Sequence, residues 1–472
     1  MNFKKFVLEP HHWTPHSLFF SLKARPLSVL LESTRFHPIT SRYSFLGLQP
    51  KEIFEATGSL CRLSENNQTR TWEGNPLTFL KQKINQWETS ELGLDLPPFV
   101  GGGIGFLGYE SLQWTEPIRF CKKPDNPIPD VYFLFFDWVI VFDHLKNNIL
   151  VVGKESATHE MEHFIDEWTH LKEKTFPVEQ PANSDDPSRW ESNFSKSTFC
   201  QAVDRIKEYI AQGDIFQANL SQRLKAQTAA TGEELYLALN QINPSPFSSY
   251  LRTPEFEIIS CSPERLCRNF DSVAETRPIA GTRPRAINPS EDHLLEQELQ
   301  INTKERAEHV MLLDLERNDL GKVCEYGTVE VNEFLGVENY SHVRHLVSNV
   351  QGRLKEKGDS VDLLKALFPG GTITGTPKVR SMEIIDELEN VKRGPYTGSL
   401  GYFSYTGNAD FNILIRTFIK KENSLYLHVG AGIVADSLPE KEYEETWHKA
   451  KALTQALSLA ESRIKHGSYC LS

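Results

Sequence analysis

No part of this 472-residue chain stays apolar for long. The longest apolar run, Val131-Tyr132-Phe133-Leu134-Phe135-Phe136, stops at Asp137. That is far short of the roughly 20 residues that span a bilayer, so the run reads as a buried strand. The first residues carry Lys4 and Lys5 but no apolar core of the kind a secretory signal needs. Cysteine is sparse and scattered, with seven residues at 61, 121, 200, 261, 267, 324 and 470 and no C-x-x-C spacing. That pattern fits reduced thiols in the cytoplasm rather than a disulfide framework or a zinc site. Runs of Lys or Arg are missing, and the formal net charge is -12. No nucleic-acid footprint is expected, and membrane binding is disfavoured. Internal repeats and low-complexity tracts are also missing. What remains, 39% hydrophobic and 24% charged, is an ordinary globular composition. It suffices for two to four domains or one large two-lobed body.

The chain divides at 176–196, where Pro, Ser, Asn and Asp accumulate. This predicts an N-terminal region over 1–175, a linker over 176–196 and a second region over 197–465. Strands are predicted at 27–33, 42–47, 130–142 and 148–153, and helices at 74–90 and 158–173. Gly101-Gly102-Gly103-Ile104-Gly105-Phe106-Leu107-Gly108-Tyr109 lacks the G-x-G-x-x-G spacing and a following helix. It reads as a glycine-rich strand bent against another sheet. A helix over 197–212 closes at Gly213, and a strand follows over 213–223. Strands and helices alternate without a regular βαβ beat, which favours an α+β class.

Lys304-Glu305-Arg306-Ala307-Glu308-His309 places Glu305 and Glu308 one helical turn apart on one face. Val310, Met311, Leu313 and Leu315 are apolar enough to bury the opposite side. Glu442 and Glu445 form a second such pair. Either pair alone reads first as a solvated helix face, because such pairs are common on exposed helices. Facing each other, they would form an all-oxygen cage suited to Mg²⁺.

Further clusters follow the linker. They are Cys261-Ser262-Pro263-Glu264-Arg265, Glu275-Thr276-Arg277-Pro278-Ile279-Ala280-Gly281-Thr282-Arg283 and Tyr340-Ser341-His342-Val343-Arg344-His345. Phe368-Pro369-Gly370-Gly371-Thr372-Ile373-Thr374-Gly375-Thr376-Pro377-Lys378, Arg393-Gly394-Pro395-Tyr396-Thr397-Gly398, Ile415-Arg416-Thr417 and Val429-Gly430-Ala431-Gly432-Ile433 complete the set. Singly, each has a plain structural reading as a bulge, a core histidine or a turn. In this order they resemble the chorismate-utilising enzymes, which include the anthranilate, aminodeoxychorismate, isochorismate and salicylate synthases. The likeness is strongest over about 200–455.

The resemblance implies a large αββα sandwich of two stacked antiparallel sheets, like anthranilate synthase component I. It implies Mg²⁺ held by Glu308 and Glu445, with Glu305 and Glu442 beside them. Gly430 and Gly432 would offer backbone N–H groups to the ring carboxylate of chorismate, and Lys449 would add charge. Tyr396 and Arg416 would hold the enolpyruvyl carboxylate. Gly281 and Thr372 would line the ring, with His345 near it. Glu264 would be the general acid for the C4 hydroxyl, its pKa raised by burial and nearby carboxylates. Leu31, Glu32 and Ser33 lie where the family binds tryptophan, and a plain strand is the competing reading.

Gln217 stands where the water-using members carry a lysine base, so the chain resembles the ammonia-using members. Asn219-Leu220-Ser221-Gln222-Arg223, Asn243-Pro244-Ser245-Pro246-Phe247-Ser248, Gly370-Gly371-Thr372-Ile373-Thr374-Gly375 and Thr397-Gly398-Ser399-Leu400-Gly401 lean toward the aminodeoxychorismate branch. Ala280 departs from it, because many members of that branch carry a nucleophilic lysine in this turn. Anthranilate formation is therefore the alternative. No Gly-x-Cys-x-Gly turn is present, so a separate glutamine amidotransferase subunit is expected to supply ammonia in a heterodimer. A non-catalytic binding subunit is the remaining reading, which the filled motif positions disfavour.

Overall fold

The structure is a computed structural model. It describes all residues except 11, 23–24, 35–40, 88–94, 119, 121, 123–127, 175–186, 287, 340–342 and 466–472, and the side chains at 280, 282, 284, 289, 303, 304, 339, 343 and 463–465. Two twelve-stranded antiparallel sheets face each other, each a path of eleven strands with a twelfth paired off that path, Gly375–Thr376 on Gln217–Gln227 in the first and Glu330–Asn339 on Val343–Arg353 in the second. Along the first sheet run Phe3–Leu8, Asn148–Lys154, Trp138–Asp143, Tyr43–Leu48, Ser28–Glu32, Phe247–Arg252, Glu257–Ser262, Thr417–Lys421, Ser424–Ile433, Gln217–Gln227 and Glu191–Ser192. Along the second run Ile279–Pro284, Val343–Arg353, Val273–Arg277, Arg265–Phe270, Ala409–Asn412, Ser399–Ser404, Gly102–Leu107, Val131–Phe136, Glu52–Thr57, Leu60–Glu65 and Gln68–Glu73. The expected αββα sandwich is what forms.

Alternation along the strands explains the layering. Val29, Phe45, Ile104, Phe106, Leu134, Val139, Leu251 and Leu400 belong to one buried cluster shared by both sheets. The outer face of the first sheet carries a second cluster with Pro15–Ser21, Thr158–Thr169, Gly232–Ile242 and Pro439–Lys465. The outer face of the second carries another with Pro76–Asn85, Thr303–Val323 and Ser360–Leu367. No helix among the described residues is long and apolar enough to cross a membrane.

The strand expected over 130–142 is two strands in different sheets. The chain crosses at Asp137, whose carboxylate receives Lys154 Nζ at 2.5 Å and the Tyr405 hydroxyl at 3.1 Å. The glycine-rich strand follows the expectation, because a Cβ on Gly105 would stand 2.0 Å from the Tyr132 carbonyl oxygen. Only glycine lets the two backbones approach this closely.

Each sheet takes strands from both sides of 176–196. Ser28–Glu32 pairs with Phe247–Arg252, and Gly102–Leu107 pairs with Ser399–Ser404. The part of that segment at 175–186 lies outside the described residues; Pro187–Arg189 is a 3₁₀ turn and Glu191–Ser192 a short strand.

The acidic helix Thr303–Val323 starts at Asn302, whose side chain accepts the Glu305 N–H at 3.1 Å. Its buried face differs from the expected one. Val310 is exposed, while Leu312, Leu313 and Leu320 are buried together with His309, Glu316 and Asp319. The stripe at helical spacing therefore includes polar side chains, which an apolar count overlooks.

Candidate active site

The centre of the site is the ribbon formed by Gln217–Gln227 and Ser424–Ile433. Asn219 stands opposite Gly432, and Ser221 opposite Gly430. On its other edge Ser424–Ile433 pairs with Thr417–Lys421 only as far as Leu427. From His428 onward that edge has no strand partner among the described residues. The Gly430 carbonyl on that edge accepts Lys449 Nζ at 3.0 Å. In a strand a residue's N–H and C=O point to the same side, and the residue two further on repeats them. The N–H groups of Gly430 and Gly432 therefore face the open edge together. A Cβ on Gly430 would lie 2.8 Å from the Tyr396 hydroxyl and 2.9 Å from Asn219 Nδ2. One on Gly432 would lie 2.7 Å from Gln217 Nε2. Gln217, Asn219 and Tyr396 thus converge on the two glycines.

A buried ion pair fixes this ribbon to its surroundings. Arg393 binds both Glu389 oxygens, at 2.9 and 2.7 Å, and the carbonyls of Asn219 and Ile373 at 2.6 and 3.1 Å. Glu389 also accepts the Ser221 N–H and hydroxyl, each at 2.8 Å. Glu110, from the N-terminal region, accepts the N–H groups of Arg393 and Gly394 at 3.0 Å each. Burial and nearby Asp130 push the Glu110 carboxyl up to about 7. Sequence reasoning quoted Arg393 only inside its motif, and it passed over Glu389 and Glu110. Nothing local marks the two acids, because their partners lie across the fold.

Glu264 sits in the short connection between Glu257–Ser262 and Arg265–Phe270 and is buried. Burial pushes its carboxyl up to about 7, opposed by the Thr372 hydroxyl, the Ile279 N–H at 3.4 Å and Arg416. The expected direction holds through burial, one of the two expected causes; neighbouring carboxylates, the other, do not contribute. Behind the Gly370-Gly371-Thr372 turn lies a further buried acid, Glu316. Its carboxyl is pushed up to about 8, chiefly by burial and by Asp319. Arg416 donates to Asn243 Oδ1 at 3.1 Å. His345 is buried, and desolvation together with Arg416 lowers its pKa to about 4, so it is neutral at physiological pH. Glu264, Thr372, His345 and Arg416 thus form a second group beside the ribbon.

Of the four expected metal ligands, Glu305 accepts Arg283 at 2.7 Å through Oε1. Its Oε2 is buried and has no hydrogen-bond partner among the described residues. Gly281 lies against it with φ +45°, and a Cβ there would stand 2.4 Å from that oxygen. Glu308 and Glu442 are half-buried, and Glu445 pairs with Lys449 at 2.7 Å near the surface. Among the described residues no three His, Cys, Asp or Glu side chains are grouped as a metal shell. The all-oxygen cage is therefore not closed by the chain alone, as expected of carboxylates that repel until a cation joins them. The orphaned Glu305 oxygen and the all-carboxylate donor set fit a hard cation.

Leu31 and Ser33 border a cavity of about 300 Å³ between the sheets, with Tyr43, Phe247, Ser249 and Tyr402. Glu32 also borders it, but its carboxylate is engaged by His16 at 2.8 Å and Tyr236 at 2.7 Å. The side chain of Ala280 lies outside the described residues.

The description "chorismate binding enzyme" matches residues 36–455. Aminodeoxychorismate synthase component 1 of Bacillus subtilis is 43% identical over 447 residues, 94% of each chain. Anthranilate synthase component 1 of Acetivibrio thermocellus is 42% identical over 463 residues, 95% of this chain and 93% of that one. The crystal structure of anthranilate synthase component I from Streptococcus pneumoniae superposes with a TM-score of 0.77 at 33% identity, covering 95% of this chain and 99% of that one.

Proposed function

From the premise that this chain belongs to the chorismate-binding enzyme family, we propose that it converts chorismate and ammonia to 4-amino-4-deoxychorismate. The observation that carries this reading is the neutral amide of Gln217 packed against Gly432. In the water-using relatives a lysine base is expected at that position, and an amide cannot deprotonate water. Asn219, beside the Tyr396 hydroxyl, supports the aminodeoxychorismate branch. The two leading relatives differ by one per cent in identity and do not separate the branches.

Glu305, Glu308, Glu442 and Glu445 would hold Mg²⁺, which would neutralise the ring carboxylate of the substrate. Gly430 and Gly432 offer that carboxylate two N–H groups, and Arg416 with Tyr396 binds the enolpyruvyl carboxylate. Glu264, protonated near neutral pH, gives its proton to the C4 hydroxyl, which leaves as water while a small nucleophile adds at C2. Ammonia then adds at C4 as the C2 group departs with its electron pair. Ala280 provides no side-chain nucleophile, so ammonia, which needs no lysine base, is the group at C2, and pyruvate is retained. Ammonia arrives from glutamine through a separate amidotransferase, consistent with relatives named component 1. The inter-sheet cavity at Leu31 and Ser33 would take tryptophan.

The test is a product assay with chorismate, Mg²⁺ and ammonium, with and without an aminodeoxychorismate lyase. p-Aminobenzoate formed only with the lyase supports the reading. Anthranilate and pyruvate formed without the lyase would establish the alternative, which Ala280 favours.

A further inference from the structure

His428 has no part in the chemistry above. It lies on the same face of its strand as Gly430, two residues earlier. Its ring packs flat on Tyr396, with centroids 5.0 Å apart and planes 9° from parallel. The side chain is 5% exposed, and neither ring nitrogen has a hydrogen-bond partner among the described residues. Leaving a buried polar group unpaired is destabilising, so an aliphatic side chain would suit stability better here. Burial, with Arg223 and Arg393 nearby, holds the imidazole well below its ordinary pKa and hence uncharged. Its edge borders a cavity of about 220 Å³, to which Lys392, Pro395 and Tyr426 also contribute. Without the imidazole, the Tyr396 ring would have room to tip toward that cavity. Its hydroxyl would then leave Gly430, against which it now presses.

We propose that His428 is a positioning residue, a flat backstop that keeps the Tyr396 hydroxyl beside Gly430, where it binds the enolpyruvyl carboxylate. The proposal rests on the role given to Tyr396 above. It concerns the shape of the ring rather than its nitrogens, so an aromatic replacement should serve. A merely structural role would instead follow the volume filled.

The test compares His428→Ala, His428→Leu, His428→Phe, Tyr396→Ala and the double variant His428→Ala/Tyr396→Ala, each with its thermal melt, in steady-state kinetics with chorismate at saturating ammonium. His428→Leu fills the volume and preserves folding if the alanine variant is unstable. Both are expected to raise KM for chorismate roughly tenfold or more with a smaller change in kcat, as misplacement of a binding group does. His428→Phe is expected to stay within about threefold of the parent, since it restores the stack. In the Tyr396→Ala background, His428→Ala should add no further loss, because its effect passes through Tyr396. Three results would overturn the backstop: an unchanged KM in His428→Leu, full additivity in the double variant, or His428→Phe as impaired as His428→Leu. An unchanged KM in Tyr396→Ala would instead overturn the site assignment itself, and the proposal with it.

Discussion

Replacing Glu264 by glutamine tests the general acid and its environment together. The carboxyl is buried and titrates at about 7 in the fold, against 4.5 when exposed. A carboxyl with a raised pKa favours the unfolded chain once pH exceeds its unfolded value, because ionisation costs less there. The penalty starts near pH 4.5, grows through the interval and is complete above pH 7. From the two values it is ~1 kcal/mol at pH 5 and ~3 kcal/mol at pH 8. Glu264→Gln should therefore stabilise the protein by ~3 kcal/mol at pH 8 and by only ~1 kcal/mol at pH 5. Urea unfolding followed by the fluorescence of the eight tryptophans reads this difference. The same substitution should lower turnover by about 10²–10⁴, the range of a general acid. In the parent enzyme, kcat/KM for chorismate, corrected for free ammonia, should fall as pH rises through about 7. Glutamine has no such titration, so the residual rate of the variant should lose this limb. Equal stabilisation at both pH values would refute the buried-acid argument. A parent rate that does not fall above pH 7 would refute the assignment of Glu264 as the acid.

Arg393→Lys should destabilise the fold by about 3–5 kcal/mol in chemical denaturation, because a buried Glu389 and two carbonyls lose a fork that lysine cannot reproduce. Wild-type stability in that variant would remove the clamp from the argument. Gly281→Ala should abolish activity while leaving chorismate-independent properties such as the sheet signal in circular dichroism intact. Its Cβ would enter the space of Glu305 Oε2 from a left-handed backbone. Chelation by EDTA should stop turnover and Mg²⁺ should restore it. Glu305→Gln should raise the half-saturating Mg²⁺ by about 10–100-fold, read from titrations of the rate; an unchanged titration would exclude Glu305 from the metal site.

The parts of the site that sequence made legible are those in which a residue type carries its own constraint. Gly430 and Gly432 announce a close approach to backbone, and the two Glu-x-x-Glu pairs announce a helix face. Both lie where the spacing placed them, on Ser424–Ile433, Thr303–Val323 and Pro439–Lys465. What escaped sequence reading depends on partners distant in the chain. Asp137 divides an apolar run because Lys154 and Tyr405 receive it, and nothing local reveals either. The polar side chains His309, Glu316 and Asp319 take core positions on an apparently amphipathic helix. Arg393, Glu389 and Glu110 meet only when both sheets are assembled.

That meeting bears on how the N-terminal region contributes to function. A separable regulatory domain would touch the catalytic region through a surface, and the site would be complete without it. Here the carboxylate of Glu110 takes the N–H groups of Arg393 and Gly394, one turn from Tyr396. Gly102–Leu107 hydrogen-bonds with the strand Ser399–Ser404 that leaves that turn. Ser28–Glu32 supplies the edge on which Phe247–Arg252 is built, and Phe247–Arg252 in turn pairs with the strand leading to Glu264. Three separate connections thus run from the first 175 residues into the candidate site. The same strand, Ser28–Glu32, runs directly to Ser33 at the inter-sheet cavity. The strand that borders the cavity is thus separated from the strand leading to Glu264 by two hydrogen-bonded ladders.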